Sequence, residues 1–226
     1  MPANVASLNF AGHSDRYMIQ NIRHIIFDLG GVLLNIDYQL TEKAFTGLGI
    51  TNFRQLYSQL QQTDVFDRLE TGRISGADFI SVMKEAAGGA VSDQQITDAW
   101  NAMLLDFPVR RLQLLQQLRI RYDLLLLSNT NEIHEAAFNR ILSAAHGMPS
   151  IGVFFDKVYL SHRIGMRKPH KEVFERILQE NGFDPAHTLF IDDSPQHIEG
   201  AKLAGIQAIY LDKGMTIEEH IFRPLN

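Results

Sequence analysis

Short apolar runs, each closed by polar or glycine residues, are the first pattern along the chain. They are too short for buried helices and carry leucine, β-branched and aromatic residues, which is typical of parallel strands covered on both faces. Two further segments, Lys157–Leu160 and Gln207–Leu211, are predicted as a short strand and a last strand. The five predicted strands are Ile25–Phe27, Asp123–Ser128, Lys157–Leu160, Thr188–Asp192 and Gln207–Leu211.

Helical periods alternate with these strands from Pro108 onward. Leu112, Leu115 and Leu118 share one face of the first of these helices, and Gly182 is a typical stop signal for the third. Strands that alternate with helices imply right-handed crossovers. The pattern therefore predicts an α/β fold with a Rossmann-like three-layer α/β/α core and a parallel sheet. The predicted helices are Val109–Arg121, Glu132–Ala145, Glu172–Asn181 and Gln196–Ala204.

The segment between the first and second strands has helical periods only. Thr71-Gly72 and Gly88-Gly89 supply breaks between its helices, and Ser92 with Gln95 resembles a capping box. We therefore predict an all-helical cap over residues 38–105, inserted into a core formed by residues 21–37 and 106–226, after a poorly ordered extension over residues 1–20. The predicted cap helices are Gln39–Leu48, Asn52–Gln61, Ser75–Ala87 and Ser92–Leu105.

Composition narrows the function classes without identifying one. The 226 residues have a net charge of -5, which gives no basic surface for nucleic acid. The absence of cysteine excludes disulfides, thiolate metal sites and a cysteine nucleophile. No apolar run approaches the roughly 18 residues that span a membrane, and no signal peptide is visible, so we expect a cytoplasmic protein that binds neither membrane nor nucleic acid.

Polar residues end three of the predicted buried strands. Asp28 follows the first strand, Ser128 and Asn129 end the second, and Asp192 and Asp193 end the fourth. The carboxyl ends of parallel strands lie at one edge of a sheet, where ligands bind in open α/β folds. We therefore expect these side chains to converge.

Three converging carboxylates repel one another and need a cation. Oxygen-only ligands favour Mg²⁺ over softer metals, so we predict a magnesium site. Lys168 in the sequence GMRKP precedes the fourth strand and adds a positive charge to the same edge. A metal, a lysine and a hydroxyl-amide pair suit a phosphoryl group, so the expected partner is a small phosphorylated metabolite.

These residues resemble the four motifs of the haloacid dehalogenase-like superfamily, in the expected order. Asp28 stands in FDLGGV, Ser128 in LLLLSNT, Lys168 in MRKP, and the aspartate pair in LFIDDS. The resemblance covers about residues 22–212, and the helical insert matches the cap of many members. The longer sequences LSNTNEIH, YLSHRIGMRKP and IDDSPQHIEGA look like the bacterial sugar-phosphatase branch that includes alpha-D-glucose-1-phosphate phosphatase.

The resemblance implies a Mg²⁺-dependent phosphatase and a role for each motif residue. Asp28 is the expected nucleophile, which forms an aspartyl-phosphate intermediate. The expected phosphate-binding groups are Ser128, the Asn129 amide and the catalytic Lys168. The expected metal ligands are the Asp28 carboxylate, the Gly30 carbonyl, Asp192 and Asp193. In the cap, Glu70 is the expected contact to the leaving group.

Position 30 departs from most phosphatases of this superfamily, because they place a second aspartate there as general acid and base. Here the residue is Gly30. Acid–base assistance is worth about 10²–10⁴-fold, so its absence leaves three alternatives. The substrate has a leaving group that needs little protonation, another group such as Asp37, Glu70 or a histidine substitutes, or turnover is weak or lost.

Two other functions are compatible with parts of the pattern. A phosphate-binding or interaction module without turnover fits the missing acid at Gly30. A metal-independent dehalogenase also fits that absence, but two further carboxylates without a cation are costly to bury. At single positions, Asp192 and Asp193 can cap the helix that begins near Pro195, and Asn129 can cap the helix after it.

Overall fold

A computed structural model of the chain describes Ile19, residues 21–51, Phe53 and residues 65–222. Five parallel strands form one sheet in the order β3-β2-β1-β4-β5. Together with helices on both faces, this order confirms the predicted Rossmann-like α/β/α architecture. The strands are β1 (His24–Phe27), β2 (Asp123–Ser128), β3 (Lys157–Leu160), β4 (Thr188–Asp192) and β5 (Gln207–Tyr210).

The helices outside the cap alternate with the strands as the sequence pattern predicts, with ends that differ by no more than three residues. A short helix directly after β3 was not predicted, and a π-helical segment at Ile217–Ile221 follows β5. The helices of this region are α5 (Val109–Leu118), α6 (Glu132–His146), α7 (Ser161–Ile164), α8 (Lys171–Asn181) and α9 (Pro195–Leu203).

The sheet has an apolar cluster on each face. In β1, Ile25 and Phe27 belong to one cluster, and Ile26 belongs to the other. All three side chains are fully buried, because β1 is the central strand and both of its faces are covered. This arrangement explains why the strand reads as an unbroken apolar run rather than as an alternating pattern.

The segment between β1 and β2 is helical and has an apolar cluster of its own, in which Trp100 is buried among phenylalanine side chains. Serine residues cap two of its helices with capping boxes. The predicted helix Asn52–Gln61 lies outside the described residues apart from Phe53. The described cap helices are α1 (Tyr38–Gly47), α2 (Val65–Glu70), α3 (Gly76–Ala86) and α4 (Asp93–Asn101).

The two linkers that connect the cap to the sheet lie side by side. Ile36 and Leu104 form an antiparallel bridge, and Asn35 donates a 3.0 Å side-chain hydrogen bond to Asp106. Arg111 donates to the Asn35 side chain at 3.0 Å and forms an ion pair with Glu218 at 3.3 Å. The division at residues 37/38 and 105/106 stays a prediction.

Ile19, which the predicted extension contains, packs into one of the two clusters of the sheet. It is buried, and its amide donates a 2.8 Å hydrogen bond to the hydroxyl of Tyr122. Among the described residues, no helix is both long enough and apolar enough to cross a membrane.

Candidate active site

The carboxyl edge of the sheet brings together the polar residues that end three neighbouring strands. Asp28 follows β1, Ser128 ends β2 and Asp192 ends β4, and all three side chains are buried. Asp28, Ser128 and Asn129 line a cavity of about 470 Å³ that lies between this edge and the cap. Lys168, Asp193 and Gly30 line the same cavity. The structure therefore brings the predicted motif residues to one place.

Lys168 lies between two of the carboxylates and is completely buried. Its Nζ atom is 2.7 Å from Asp28 Oδ1 and 2.6 Å from Asp192 Oδ2. The ammonium group also lies over the ring of Phe190, 5.4 Å from the ring centroid. A buried charge needs partners of opposite charge, and Lys168 has two of them.

The side chain of Asn129 holds the loop that carries Lys168. Its Nδ2 donates to the Lys168 carbonyl, and its Oδ1 accepts from the Lys168 amide, both at 2.9 Å. The alternative that Asn129 caps the following helix is wrong, because Asn131 is the capping residue. Asn131 Oδ1 accepts from the amides of Ile133 and His134 at 3.1 and 3.0 Å.

Burial and neighbouring charges shift the ionisation of these groups. Burial raises the pKa of Asp28, although the ammonium of Lys168 counteracts part of this effect. Burial likewise disfavours the ionised form of Asp192, but Lys168 and His197 outweigh it and lower the Asp192 pKa. Burial also opposes the charge of Lys168, yet the two carboxylates raise its pKa. Lys168 is therefore protonated and Asp192 ionised.

Of the three carboxylates, Asp193 has the least compensation of its negative charge by positively charged neighbours. Burial first, and then the charges of Asp28 and Asp192, raise the pKa of Asp193 to about 7. Its side chain lies against Gly31, where φ is +74° and a Cβ atom would overlap the carboxylate. The turn after β1 therefore approaches Asp193 closely because position 31 has no side chain.

The same three carboxylates fit a divalent cation. One carboxylate oxygen of each of Asp28, Asp192 and Asp193 lies within 4.8 Å of the others. The donors are all oxygen atoms, which Mg²⁺ prefers. The raised pKa of Asp193 reflects burial and repulsion from Asp28 and Asp192, and a bound cation would relieve that repulsion. Gly30, the remaining predicted ligand residue, lines the same cavity.

The cap supplies the opposite wall of the cavity. Glu70 and Asp67, both on α2, line it together with Tyr38. Arg167, next to Lys168, forms ion pairs with Asp67 at 3.2 Å and with Glu70 at 3.0 Å. Burial raises the pKa of Glu70. The structure thus brings the predicted leaving-group contact Glu70 to the site.

His197 and Arg167 line the cavity but were not among the predicted site residues. His197 Nδ1 lies 3.0 Å from both carboxylate oxygens of Asp192. Its position five residues after Asp192, in the first turn of α9, was the signal for this contact. Arg167 was missed although it directly precedes Lys168. Conversely, Asp37 accepts from the Gln39 amide at 2.9 Å as the cap of α1, and it is not among the residues that line the cavity.

Comparison with known proteins supports the motif assignment. The family model described as haloacid dehalogenase-like hydrolase matches residues 22–205 of this chain. The D-ribitol-5-phosphate phosphatase of Bacteroides thetaiotaomicron is 29% identical over 205 residues, which are 91% of this chain and 99% of that protein.

Solved structures show the same similarity. A haloacid dehalogenase family enzyme of Bacteroides thetaiotaomicron is 36% identical with a TM-score of 0.81, covering 89% of this chain and 98% of that one. Its complex with magnesium and inorganic phosphate has 35% identity and a TM-score of 0.77, covering 89% and 100%. A predicted hydrolase of this type from Porphyromonas gingivalis is 32% identical with a TM-score of 0.76, covering 85% and 92%.

Proposed function

The chain belongs to the haloacid dehalogenase-like hydrolase family, and we propose that it is a Mg²⁺-dependent phosphatase of a small phosphorylated metabolite. The family resemblance predicted from the four motifs is confirmed, and the named relatives support a phosphoric monoester hydrolase. The observation that carries the proposal is the position of Lys168 between Asp28 and Asp192 at the edge of the sheet.

Asp28 is the proposed nucleophile. Its carboxylate attacks phosphorus, the bond to the leaving alcohol breaks, and an aspartyl phosphate forms. Water then attacks the phosphorus of this intermediate, which restores the Asp28 carboxylate and releases inorganic phosphate. The position of Asp28 directly after the central strand β1 supports this role, because the cavity opens over this point.

Three groups are proposed to bind the phosphoryl oxygens. They are the hydroxyl of Ser128, the backbone amide of Asn129 and the ammonium of Lys168, all from residues that line the cavity. Negative charge spreads over these oxygens in the transition state, so fixed donors stabilise it more than they stabilise the substrate. Burial of Ser128 and Lys168 excludes water and makes their electrostatic contribution larger.

The proposed Mg²⁺ ligands are the carboxylates of Asp28, Asp192 and Asp193 and the carbonyl of Gly30. Bound Mg²⁺ supplies positive charge that compensates for the negative charge of the phosphoryl group and of its carboxylate ligands. His197 and the Ser194 amide, which contact Asp192 at 3.0 and 2.7 Å, hold that carboxylate in place. The cluster of three carboxylates also argues against the metal-independent dehalogenase.

We propose a sugar or sugar-alcohol phosphate as the substrate. Glu70 and Asp67 of the cap, together with Arg167 from the loop before α8, give this side of the cavity polar side chains. A relative is named for ribitol 5-phosphate. Gly30 supplies no acid for the leaving group, and Asp37 is engaged as a helix cap.

The test is an assay of the purified protein with Mg²⁺ against para-nitrophenyl phosphate, sugar 1-phosphates, sugar 6-phosphates and ribitol 5-phosphate. We expect release of inorganic phosphate that requires Mg²⁺, stops with EDTA and is abolished in Asp28→Asn, which keeps the shape of the side chain. Sugar 6-phosphates and ribitol 5-phosphate are alkyl esters, whose leaving groups need a proton more than those of sugar 1-phosphates and para-nitrophenyl phosphate do. Similar rates for both groups of esters would indicate a proton donor in the cap. Absence of turnover with all esters, together with binding of beryllium fluoride and Mg²⁺, would instead favour the phosphate-binding module.

A further inference from the structure

Two buried polar atoms on the cap side of the cavity have no hydrogen-bond partner among the described residues. They are Oε2 of Glu70 and Nε of Arg167. One is an acceptor and the other a donor, and both residues line the cavity over the nucleophile. A buried polar group without a partner costs about 1–3 kcal/mol, so such atoms indicate that something else contacts them.

The contact between Arg167 and Glu70 leaves one polar atom of each side chain without a hydrogen-bond partner. Nη2 of Arg167 lies 3.0 Å from Glu70 Oε2, but this ion pair lacks the alignment of a hydrogen bond. The other side of Arg167 donates to Asp67 Oδ1 at 3.2 Å, and Arg73 also donates to Asp67. The guanidinium is thus held by two carboxylates through its Nη atoms, while its Nε–H group has no hydrogen-bond partner among the described residues.

Positive and negative side chains are equal in number in the cluster formed by Arg167, Arg73, Asp67 and Glu70, which we call this wall of the cavity. Two arginines, Arg167 and Arg73, contact two carboxylates, Asp67 and Glu70. A second phosphate or a carboxylate on the substrate would be repelled by the acidic side chains, and an ammonium group by the arginines. Uncharged hydroxyl groups suit the wall best, because each hydroxyl can accept one hydrogen bond and donate another.

We propose that Arg167 and Glu70 form a hydroxyl-binding subsite for the leaving group, so that the substrates are phosphate esters of uncharged polyhydroxylated alcohols. One hydroxyl accepts from Arg167 Nε–H, and the same or a neighbouring hydroxyl donates to Glu70 Oε2. This inference rests on the proposed function and specifies the alcohol whose ester the site hydrolyses. Lys168 and Arg167 are adjacent in the chain, so one short loop contacts both the phosphoryl group and the alcohol.

The test compares two esters that differ only in their hydroxyl groups, ribitol 5-phosphate and n-pentyl phosphate. In the full-length protein with Mg²⁺, we expect kcat/KM to be higher for ribitol 5-phosphate by about 10–100-fold, the effect of a hydrogen bond to a charged group. Arg167→Lys and Glu70→Gln should reduce this ratio by about tenfold each. Arg163→Lys is the matched control, because Arg163 pairs with Glu135 at 2.6 Å and does not line the cavity.

Equal loss on both esters in the two variants would overturn the subsite, because it would indicate a purely structural role. Equal kcat/KM for the two esters in the wild-type protein would overturn it too. Calorimetric binding of the same two esters to Asp28→Asn in the presence of Mg²⁺ separates this inference from the proposed function. Preferential binding of ribitol 5-phosphate without any wild-type turnover would retain the subsite and reject the phosphatase, whereas turnover without preference would do the reverse.

Discussion

Asn129 and Lys168 exchange two hydrogen bonds of 2.9 Å, in which the side-chain amide of Asn129 pairs with the backbone of Lys168. The pairing connects the loop after β2 to the loop before α8, which are 39 positions apart in the chain. Because both backbone groups of Lys168 are fixed, its long side chain reaches Asp28 and Asp192 from one defined direction. Asn129 therefore positions the ammonium group, in addition to the phosphate-binding role proposed for its backbone amide.

Replacing Asn129 by aspartate should lower kcat while the protein still folds. The carboxylate retains the acceptor for the Lys168 amide but loses the donor to its carbonyl, which it repels. A displacement of about 1 Å at a reacting group costs about 10²-fold, so we expect kcat to fall about 10–100-fold with a smaller change in KM. Steady-state kinetics and urea unfolding of the same preparation measure the two effects.

Asn139→Asp is the matched control for this variant. Asn139 Oδ1 accepts from the Ile151 amide at 3.0 Å, away from the cavity, so its aspartate also keeps the acceptor. We expect its kcat to equal that of the wild-type protein. If Asn129→Asp had wild-type kcat as well, the positioning role of Asn129 would be wrong.

Exchanging Gly31 for alanine should weaken Mg²⁺ binding. Gly31 has φ of +74°, and an added Cβ overlaps the carboxylate of Asp193. Gly214→Ala is the control, because Gly214 has φ of +86° with no atom within 4 Å of an added Cβ. Both variants should lose about 1–2 kcal/mol of stability from the left-handed backbone. Only Gly31→Ala should raise the Mg²⁺ concentration needed for half-maximal activity and for thermal stabilisation. An equal Mg²⁺ requirement in the two variants would contradict the proposed ligand role of Asp193.

An aspartate at position 30 should improve turnover of esters with poor leaving groups. A Cβ at Gly30 comes 3.1 Å from Ile36 Cδ1, the end of a flexible side chain that can move, so the substitution is sterically accessible. General acid catalysis contributes about 10²–10⁴-fold, mainly for alcohols that leave badly. We expect Gly30→Asp, or its combination with Ile36→Val, to raise kcat for n-pentyl phosphate relative to para-nitrophenyl phosphate. Gly30→Ala, which adds no acid, should leave this ratio of kcat values unchanged. An unchanged ratio in Gly30→Asp would mean that protonation of the leaving group does not limit turnover.

The stability of the protein should fall as the pH drops from 6.5 to 4 because of His134. This residue stacks on Trp100 and contacts its carbonyl at 3.1 Å. Burial lowers the pKa of His134 from 6.5 to about 4, so the unfolded chain binds a proton in this range that the folded protein does not. A pKa difference of one unit corresponds to about 1.4 kcal/mol, so above pH 6.5 the neutral His134 contributes about 3 kcal/mol to the free energy of unfolding relative to pH values below 4.

Urea unfolding followed by the fluorescence of Trp100 measures this dependence, because Trp100 is the single tryptophan of the chain. His134→Gln keeps an amide that can donate to the Trp100 carbonyl but has no proton to gain. We expect the variant to have a lower free energy of unfolding at pH 7 and a shallower slope between pH 6.5 and 4. An unchanged slope would show that other groups cause the pH dependence.

The sheet and its edge were predictable because their determinants are local. Central parallel strands must be apolar on both faces, and β2, β3 and β4 have the predicted limits. Parallel strands end on one side of a sheet, so a polar residue at each end predicts a common site without any knowledge of distances.

The cap wall of the cavity was less predictable because its contacts join distant parts of the chain. The contact between Arg167 and Asp67 joins residues 100 positions apart, and no periodic pattern encodes it. The described part of helix α2 has six residues, and six residues alone are too few to show a helical period. The direction of His197 toward Asp192 depends on the start of α9 at Pro195, and a one-residue error in that start moves the side chain around the helix.

The side-by-side linkers have a consequence for the evolution of substrate range. The bridge between Ile36 and Leu104 brings both ends of the inserted segment together at one point of the sheet. Any segment whose own ends meet can be accommodated there without stretching β1 or α5, and the strand order stays the same. The proposed reaction chemistry lies at the edge of the sheet, and part of the proposed contact to the alcohol comes from the insert. The two can therefore change by independent mutations, or by exchange of the whole insert, within one gene.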